Sequence, residues 1–352
     1  LIVYAGPFIL LALIPAFFYA FGGAAPVASV VLLLAALIGA ECLSQRGAVM
    51  PVRGHAFGFR ALVYLYIPLQ WGVTLWAVIV AARAGVIAFL SLSLADGVMC
   101  GVFGMLAAHE LIHSRSRSER IAGGIMLGAM SYRHFRIAHL HGHHRWAATP
   151  RDAATARLGE SFYAFLPRTL AGQLLEACRF EHRRCGGRLF ANRIAHDAVV
   201  MPIVLAALMA VSGPGGVLFF ILQSAVAVVV LEMFNYIAHY GLERERLPDG
   251  RWARLEERHS WNSSNVAANL LIFNMGRHAS HHERPAATYE TLEWVPSAPE
   301  LPSGYAASIL LALIPPLWRR VMDPKVRCYR SSDATSQSCG TTTILSALPS
   351  TR

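Results

Sequence analysis

Charged residues are scarce in this chain of 352 residues, at 15% against 55% hydrophobic, and residues 1–40 hold none. A soluble domain carries roughly a quarter of its residues charged, and its core helices seldom exceed a dozen apolar residues without a polar face. With a mean hydropathy of +0.43, the composition excludes a disordered chain, a coiled coil and a nucleic-acid-binding module, and predicts an integral membrane protein. Cysteine is scarce too. The six cysteines include no C-x-x-C pair, so no disulfide framework, zinc ribbon or rubredoxin-like module is expected. The first apolar segment lacks the basic flank of a cleaved signal and is expected as a retained membrane helix.

Uncharged runs give the organisation. Gly22-Gly23-Ala24-Ala25-Pro26 breaks residues 1–40 into two runs of about the 20 residues a bilayer requires. Ala61 to Ala82 and Val86 to about Ala108 form a second hairpin, the latter carrying only Asp96. Ala198 to Leu231, broken at Ser212-Gly213-Pro214-Gly215-Gly216, forms a third hairpin whose second helix runs on to His239. The expected fold is all-α: a six-helix transmembrane bundle with a histidine-rich di-metal site on the cytoplasmic side. Residues 1–113 hold four spans ending in a first histidine box, 114–195 a cytoplasmic segment with a second, 196–240 spans five and six, 241–328 a cytoplasmic region with a third, and 329–352 a disordered tail. Arg46, Arg53, Arg60, Arg115, Arg117 and Arg120 put both termini and the large loops in the cytoplasm by the positive-inside bias. Pro315-Pro316 and Arg319-Arg320 make residues 305–322 an interfacial helix, not a span. Asp96, costly in mid-span, is expected to face the bundle interior and bond a neighbour.

Of the 15 histidines, most fall into three boxes: His109-Glu-Leu-Ile-His113, His139-Leu-His-Gly-His143-His144 and His278-Ala-Ser-His281-His282. On a helix, residues i and i+4 share a face, so His109 with His113, and His139 with His143, are each expected to aim two imidazoles at one point. Three boxes supply more imidazoles than one ion accepts, which predicts two metals. Imidazole alone does not choose between zinc, copper, iron and nickel. His109-Glu110-x-x-His113 also has the form of a zinc metalloprotease helix, a reading that leaves the other two boxes without a purpose.

Beyond the boxes, Asn235-Tyr-Ile-Ala-His239-Tyr-Gly241-Leu-Glu-Arg244, Arg258-His-Ser-Trp-Asn262 with Asn269-Leu-Leu, and Leu301-Pro-Ser-Gly-Tyr305 followed by Pro315-Pro-Leu-Trp318 complete a recognisable pattern. The chain resembles the histidine-box membrane di-iron oxygenases, and within them the alkane 1-monooxygenases and the related xylene monooxygenase hydroxylase subunits. It departs from their pattern at Ile112 and Ser114, where H-E-L-G-H-K is frequent, and at Ala138, where glutamate is common.

The resemblance implies nine ligands to two non-haem irons: His109, His113, His139, His143, His144, His239, His278, His281 and His282. His239 comes from the resemblance alone, His141 is left out, and Glu110 is expected to orient an imidazole. It further implies a bacterial inner-membrane enzyme, its site toward the cytoplasm, that hydroxylates the terminal carbon of medium- or long-chain alkanes with O2 and two electrons. Those electrons are expected from a separate rubredoxin served by a rubredoxin reductase. Hydroxylation of xylene methyl groups, and fatty-acid desaturation or hydroxylation, are the alternatives. Trp71, Trp76, Phe103 and Met105 are expected along a hydrocarbon channel opening to lipid, and Arg179, Arg183, Arg184 and Arg188, with Arg193 nearby, on a surface for the electron donor.

Overall fold

The computed structural model describes residues 4–44, 47 and 56–331, and among these it is helical, with isolated bridges but no strands. The expected tail from 332, together with Arg46, Arg53 and His55, lies outside the described residues. Helices run in the order α1 (Gly6–Phe21), α2 (Ala28–Leu43), α3 (Ala56–Ala81), α4 (Val86–Met99), a π-helical turn (Cys100–Gly104), α5 (Met105–Ile112) and α6 (Arg117–Gly128). After short turns at Phe135–Ile137 and His144–Trp146, joined by a second π-helical segment at Ala138–His143, come α7 (Phe162–Cys185) and α8 (Arg193–His239). The chain closes with α9 (Val266–Leu271), α10 (His278–Glu283), α11 (Gly304–Ala312) and α12 (Pro315–Arg330).

Among the described residues four stretches are long and apolar enough to cross a membrane: Ala25–Leu43, Phe57–Ala81, Val86–Ile112 and Arg193–His239; α1 is apolar but shorter. At 1.5 Å per residue, the 47 residues of α8 would run to roughly 70 Å, more than twice the hydrocarbon thickness. It does not run straight. Gly213, with φ 67° and ψ −168°, takes a backbone conformation open essentially to glycine alone, and Pro214 then starts a new helix without needing an N–H partner. The break falls inside the turn expected at Ser212–Gly216.

Two compact units emerge, both discontinuous in sequence. The first comprises residues 1–36, 53–141 and 174–231 and holds most of the apolar helices. Its packing depends on small residues: a Cβ on Gly97 would lie 2.7 Å from the Gln223 carbonyl, and one on Gly101 2.6 Å from that of Ala227, so α4 and the π turn approach the α8 backbone closely. Asp96 is fully buried, as expected, and accepts hydrogen bonds from Gln70 (2.8 Å) and Thr74 (3.1 Å) on α3. The second unit comprises residues 37–52, 142–173 and 232–352. Its core gathers Phe165, Tyr236, Tyr240, Trp261, Trp318 and Val326. The Trp261 indole donates to the Tyr240 carbonyl (2.9 Å), and the Tyr305 hydroxyl donates to the Trp261 carbonyl (2.7 Å).

Residues 305–322, expected as one interfacial helix, divide between α11 and α12, because Pro315 lacks the donor a continuous helix would use and suits a first turn instead. The apolar face of α12 (Trp318, Val321, Met322) is covered by the second unit's own core. One cysteine departs from expectation: Cys328 is disulfide-bonded, whereas Cys42, Cys100, Cys178 and Cys185 are free thiols.

Candidate metal centre

In the first unit α5 ends with His109 and His113 one turn apart, and the π-helical segment brings His139 to them. The His139 Nε2 lies 2.9 Å from that of His109 and 3.0 Å from that of His113. Phe135 stacks on the His139 ring at 4.8 Å, fixing its plane. Glycine lets α6 support this turn closely, since a Cβ at Gly123 would meet the Ile112 side chain at 2.8 Å and the Ala108 carbonyl at 3.0 Å. Glu110 forms an ion pair with Arg60 at 3.4 Å, and Arg60 also binds Glu119 and the Ser114 hydroxyl.

In the second unit four buried histidines converge: His143, His239, His278 and His282, with candidate ligand atoms within 4.8 Å of one another. His239, His278 and His282 present their Nε2 atoms to one another at 3.1 Å. His144 and His281 meet separately, Nε2 to Nε2, at 3.1 Å. The spacing His278, His281, His282 thus divides on α10, with i and i+4 sharing a point and i+3 turned to His144.

One expectation is corrected. His139 and His143 do not aim at one point: His139 joins His109 and His113, and His143 joins the four-histidine group. The residues between them form a π-helix, whose i→i+5 pattern advances each side chain by a smaller angle than an α-helix, so the i+4 rule does not hold there.

The imidazole tautomers follow from their other hydrogen bonds. His239 Nδ1 lies 3.0 Å from the His259 carbonyl oxygen, so it carries the proton and its Nε2 presents a lone pair. His143 Nδ1 lies 2.8 Å from the Asp152 carboxylate, which also accepts from the Thr155 hydroxyl at 2.7 Å. Burial pushes Asp152 toward protonation, but His143 and Thr155 overcome it and keep the carboxylate below its ordinary range. Burial likewise drives His282 well below the usual imidazole value, leaving it neutral, the form that binds metal. The lone pair on His239 Nε2 faces the Nε2 atoms of His278 and His282 at 3.1 Å, a spacing that serves either an N–H···N hydrogen bond or a shared cation. With metal–nitrogen bonds of about 2.1 Å, two nitrogens 3.1 Å apart subtend roughly 95°, closer to octahedral than to tetrahedral geometry. An all-imidazole donor set with that spacing fits a transition-metal ion of octahedral-like geometry and departs from a closed structural zinc site.

All nine expected ligands therefore enter histidine groups, while the other described histidines stand apart. His141 stacks on Phe180 at 4.0 Å, His182 and His196 are exposed, His134 packs against Tyr132, and His259 serves through its carbonyl. Among the channel candidates, Phe103 and Met105 are buried on the π turn and at the start of α5, while Trp71 donates to the Ile125 carbonyl and Trp76 to the Tyr19 hydroxyl. Arg179, Arg183, Arg184 and Arg188 are exposed, with Arg184 held to buried Glu181 at 2.7 Å. Two supporting residues escape a sequence reading, Asp152 and Arg60, because neither stands at a ligand spacing.

The fatty acid desaturase family model matches residues 84–293. Alkane 1-monooxygenase 1 of Pseudomonas aeruginosa is 41% identical over 76% of this chain and 72% of its own length. The alkane 1-monooxygenase of Ectopseudomonas oleovorans is 36% identical over 86% of this chain and 77% of its own. The xylene/toluene monooxygenase hydroxylase component of Pseudomonas putida is 28% identical over 67% and 64% respectively. By these matches the chain belongs to the alkane 1-monooxygenases of the fatty acid desaturase family.

Proposed function

We propose that the protein is a membrane non-haem di-iron monooxygenase that converts the terminal methyl of a medium- or long-chain alkane to a primary alcohol. The overall balance is alkane, O2, two electrons and two protons giving alcohol and water. The observation that carries this reading is the gathering of nine imidazoles into two histidine groups in a chain 34–41% identical to several alkane 1-monooxygenases; the xylene relative, at 28%, is more distant. Iron, when bound, supplies the O2 activation that side chains cannot.

The chain's own residues hold and orient. His143, His239, His278 and His282 hold one ion, His109, His113 and His139 serve the second, and His144 and His281 are the remaining donors. Asp152 and the His259 carbonyl fix which nitrogen binds. Glu110, paired with Arg60, steadies the turn that carries His109 and His113. The substrate enters from lipid among the first unit's helices, with Phe103 and Met105 setting its depth and Trp71 and Trp76 lining the way in. In this reading α1, α2, α3, α4 with α5, and the two halves of α8 serve as six spans, with the site toward the cytoplasmic face of a bacterial inner membrane, an orientation supported by the arginines of the loops. A separate rubredoxin, reduced by its reductase, delivers the electrons.

Elemental analysis and iron spectroscopy on detergent-purified protein test this. About two irons per chain, falling on His239→Ala together with octane hydroxylation, is the expected result. One zinc per chain, indifferent to that change, overturns it.

A further inference from the structure

Electrons delivered by a separate protein must reach buried metal from the surface, and transfer weakens steeply with distance. A good docking surface is therefore rigid, close in structure to the ligands and opposite in charge to its visitor. The segment between His144 and Asp152 in the second unit meets all three conditions. Trp146 follows His144 by two residues, is half-buried, and is flanked by guanidinium groups: Arg151 3.8 Å and Arg145 4.9 Å from the ring centroid. Both arginines are exposed, and neither is ion-paired among the described residues. Arg184 and Arg193, by contrast, share the Glu181 carboxylate, which offsets one of their two charges.

The surface is held firmly. The Arg145 carbonyl accepts from the Arg244 guanidinium at 2.9 Å, and that of Trp146 accepts from the Thr149 N–H at 3.1 Å and its hydroxyl at 2.7 Å. Ala148 has φ +58°, a left-handed conformation that side chains disfavour. It persists because its N–H donates to Thr155 (2.9 Å) and its carbonyl accepts from the Arg244 N–H (2.7 Å). Next to it opens a cavity of about 270 Å³ between Thr149, Pro150, Arg157 and Arg330, and Asp152 on its wall is bonded to His143. Two short routes thus lead inward, the chain from Trp146 to His144 and the hydrogen bond from Asp152 to His143.

We propose that the exposed Arg145 and Arg151 seat a small, net-negative one-electron carrier protein over Trp146, which serves the transfer and not the affinity. The inference rests on the monooxygenase reading. Each docking would oxidise the carrier by one electron, which the metal that the histidines would hold would accept; two dockings would supply one turnover. Trp146 shortens the path without changing its own oxidation state, and no bond in the chain is made or broken.

The test uses full-length protein in nanodiscs with a net-negative rubredoxin as probe. Arg145→Glu with Arg151→Glu is expected to raise the dissociation constant at low salt about tenfold or more and to flatten its salt dependence, with iron content unchanged. Trp146→Leu is expected to leave that constant within about threefold, while the rate of carrier oxidation at saturation falls and Trp146→Phe restores part of it. An unchanged constant in the arginine variant, with a rise on Arg183→Glu and Arg184→Glu, overturns the proposal and moves docking to the other cluster. Loss of binding to phosphatidylglycerol vesicles without loss of carrier binding overturns it in favour of lipid headgroups. If the wild type hydroxylates octane with this carrier and the variants match it, only the docking site fails. If the wild type holds no iron and never oxidises the carrier, the monooxygenase reading fails with it.

Discussion

At the scale of single residues, the site depends on groups that never touch metal. Asp152 is buried, and its bond to His143 Nδ1 determines that His143 offers Nε2 to its neighbours. Asp152→Asn keeps the shape and removes the charge that favours this orientation, and such changes behind a ligand typically weaken metal binding about 10- to 100-fold. The expected outcome is a loss of that order in affinity for one of two irons, measured by chelator competition, with the second retained. Eight of the nine expected ligands were legible, because boxed histidines are conspicuous in an apolar chain, whereas His239 came from the resemblance alone. Asp152 was not, since it acts through a loop fold that brings residues nine apart together, and no periodicity marks such a contact. Glu110 was read as an imidazole's partner from its place in the first box; its ion pair with Arg60 was not read, because it depends on α3 packing beside α5, which sequence does not display.

At the scale of elements, hydrophobic runs and glycine-proline turns gave the helices, down to the break at Gly213. What they concealed was the π-helical segment at Ala138–His143, because the i→i+5 pattern leaves no compositional trace. That segment separates His139 from His143. The other element-scale device is close backbone approach. At Gly101 a methyl would collide with the Ala227 backbone at 2.6 Å, which cannot swing away as a side chain can. Gly101→Ala is expected to destabilise by about 1–3 kcal/mol through overpacking. Gly72, inside α3, has nothing within 4 Å of a built Cβ, and Gly72→Ala is expected to stabilise by about 0.5–1 kcal/mol. Opposite shifts in thermal unfolding of the two variants in detergent would establish the contrast; equal shifts would refute it.

At the scale of the whole molecule, a net charge of +10 makes acid the expected enemy. The hydrogen bond from Arg60 holds Glu119 down at about 2. Burial pushes Glu181 up, but bonds from Arg184 and Arg193 outweigh it and also leave it at about 2. Both folded values lie below the ordinary 4.5, so their stabilisation is complete above that pH and is lost as pH falls toward 2. Burial lowers His134 from 6.5 to about 4. Below 6.5 the unfolded chain takes up a proton that the folded chain refuses, so stability falls between those values as well. His134→Gln is therefore expected to flatten the upper limb of an acid-unfolding profile and Glu181→Gln the lower limb, each leaving the other in place, as read from denaturation midpoints between about pH 7 and 3.

The second unit also joins residues far apart in sequence. The Glu41 carboxylate at the end of α2 accepts from the Ala306 N–H at 2.7 Å and the Ala307 N–H at 3.2 Å, satisfying the start of α11 across 265 residues, in space left by the missing Cβ of Gly304. The ribosome therefore finishes Glu41 long before its partners exist. At roughly 5–20 residues per second, the carboxylate waits some ten seconds to a minute for the helix it will cap. The histidines of α10 are synthesised within that interval, so every imidazole of the metal-holding region exists before the closing contact can form, and that region cannot be complete until late in the birth of the chain.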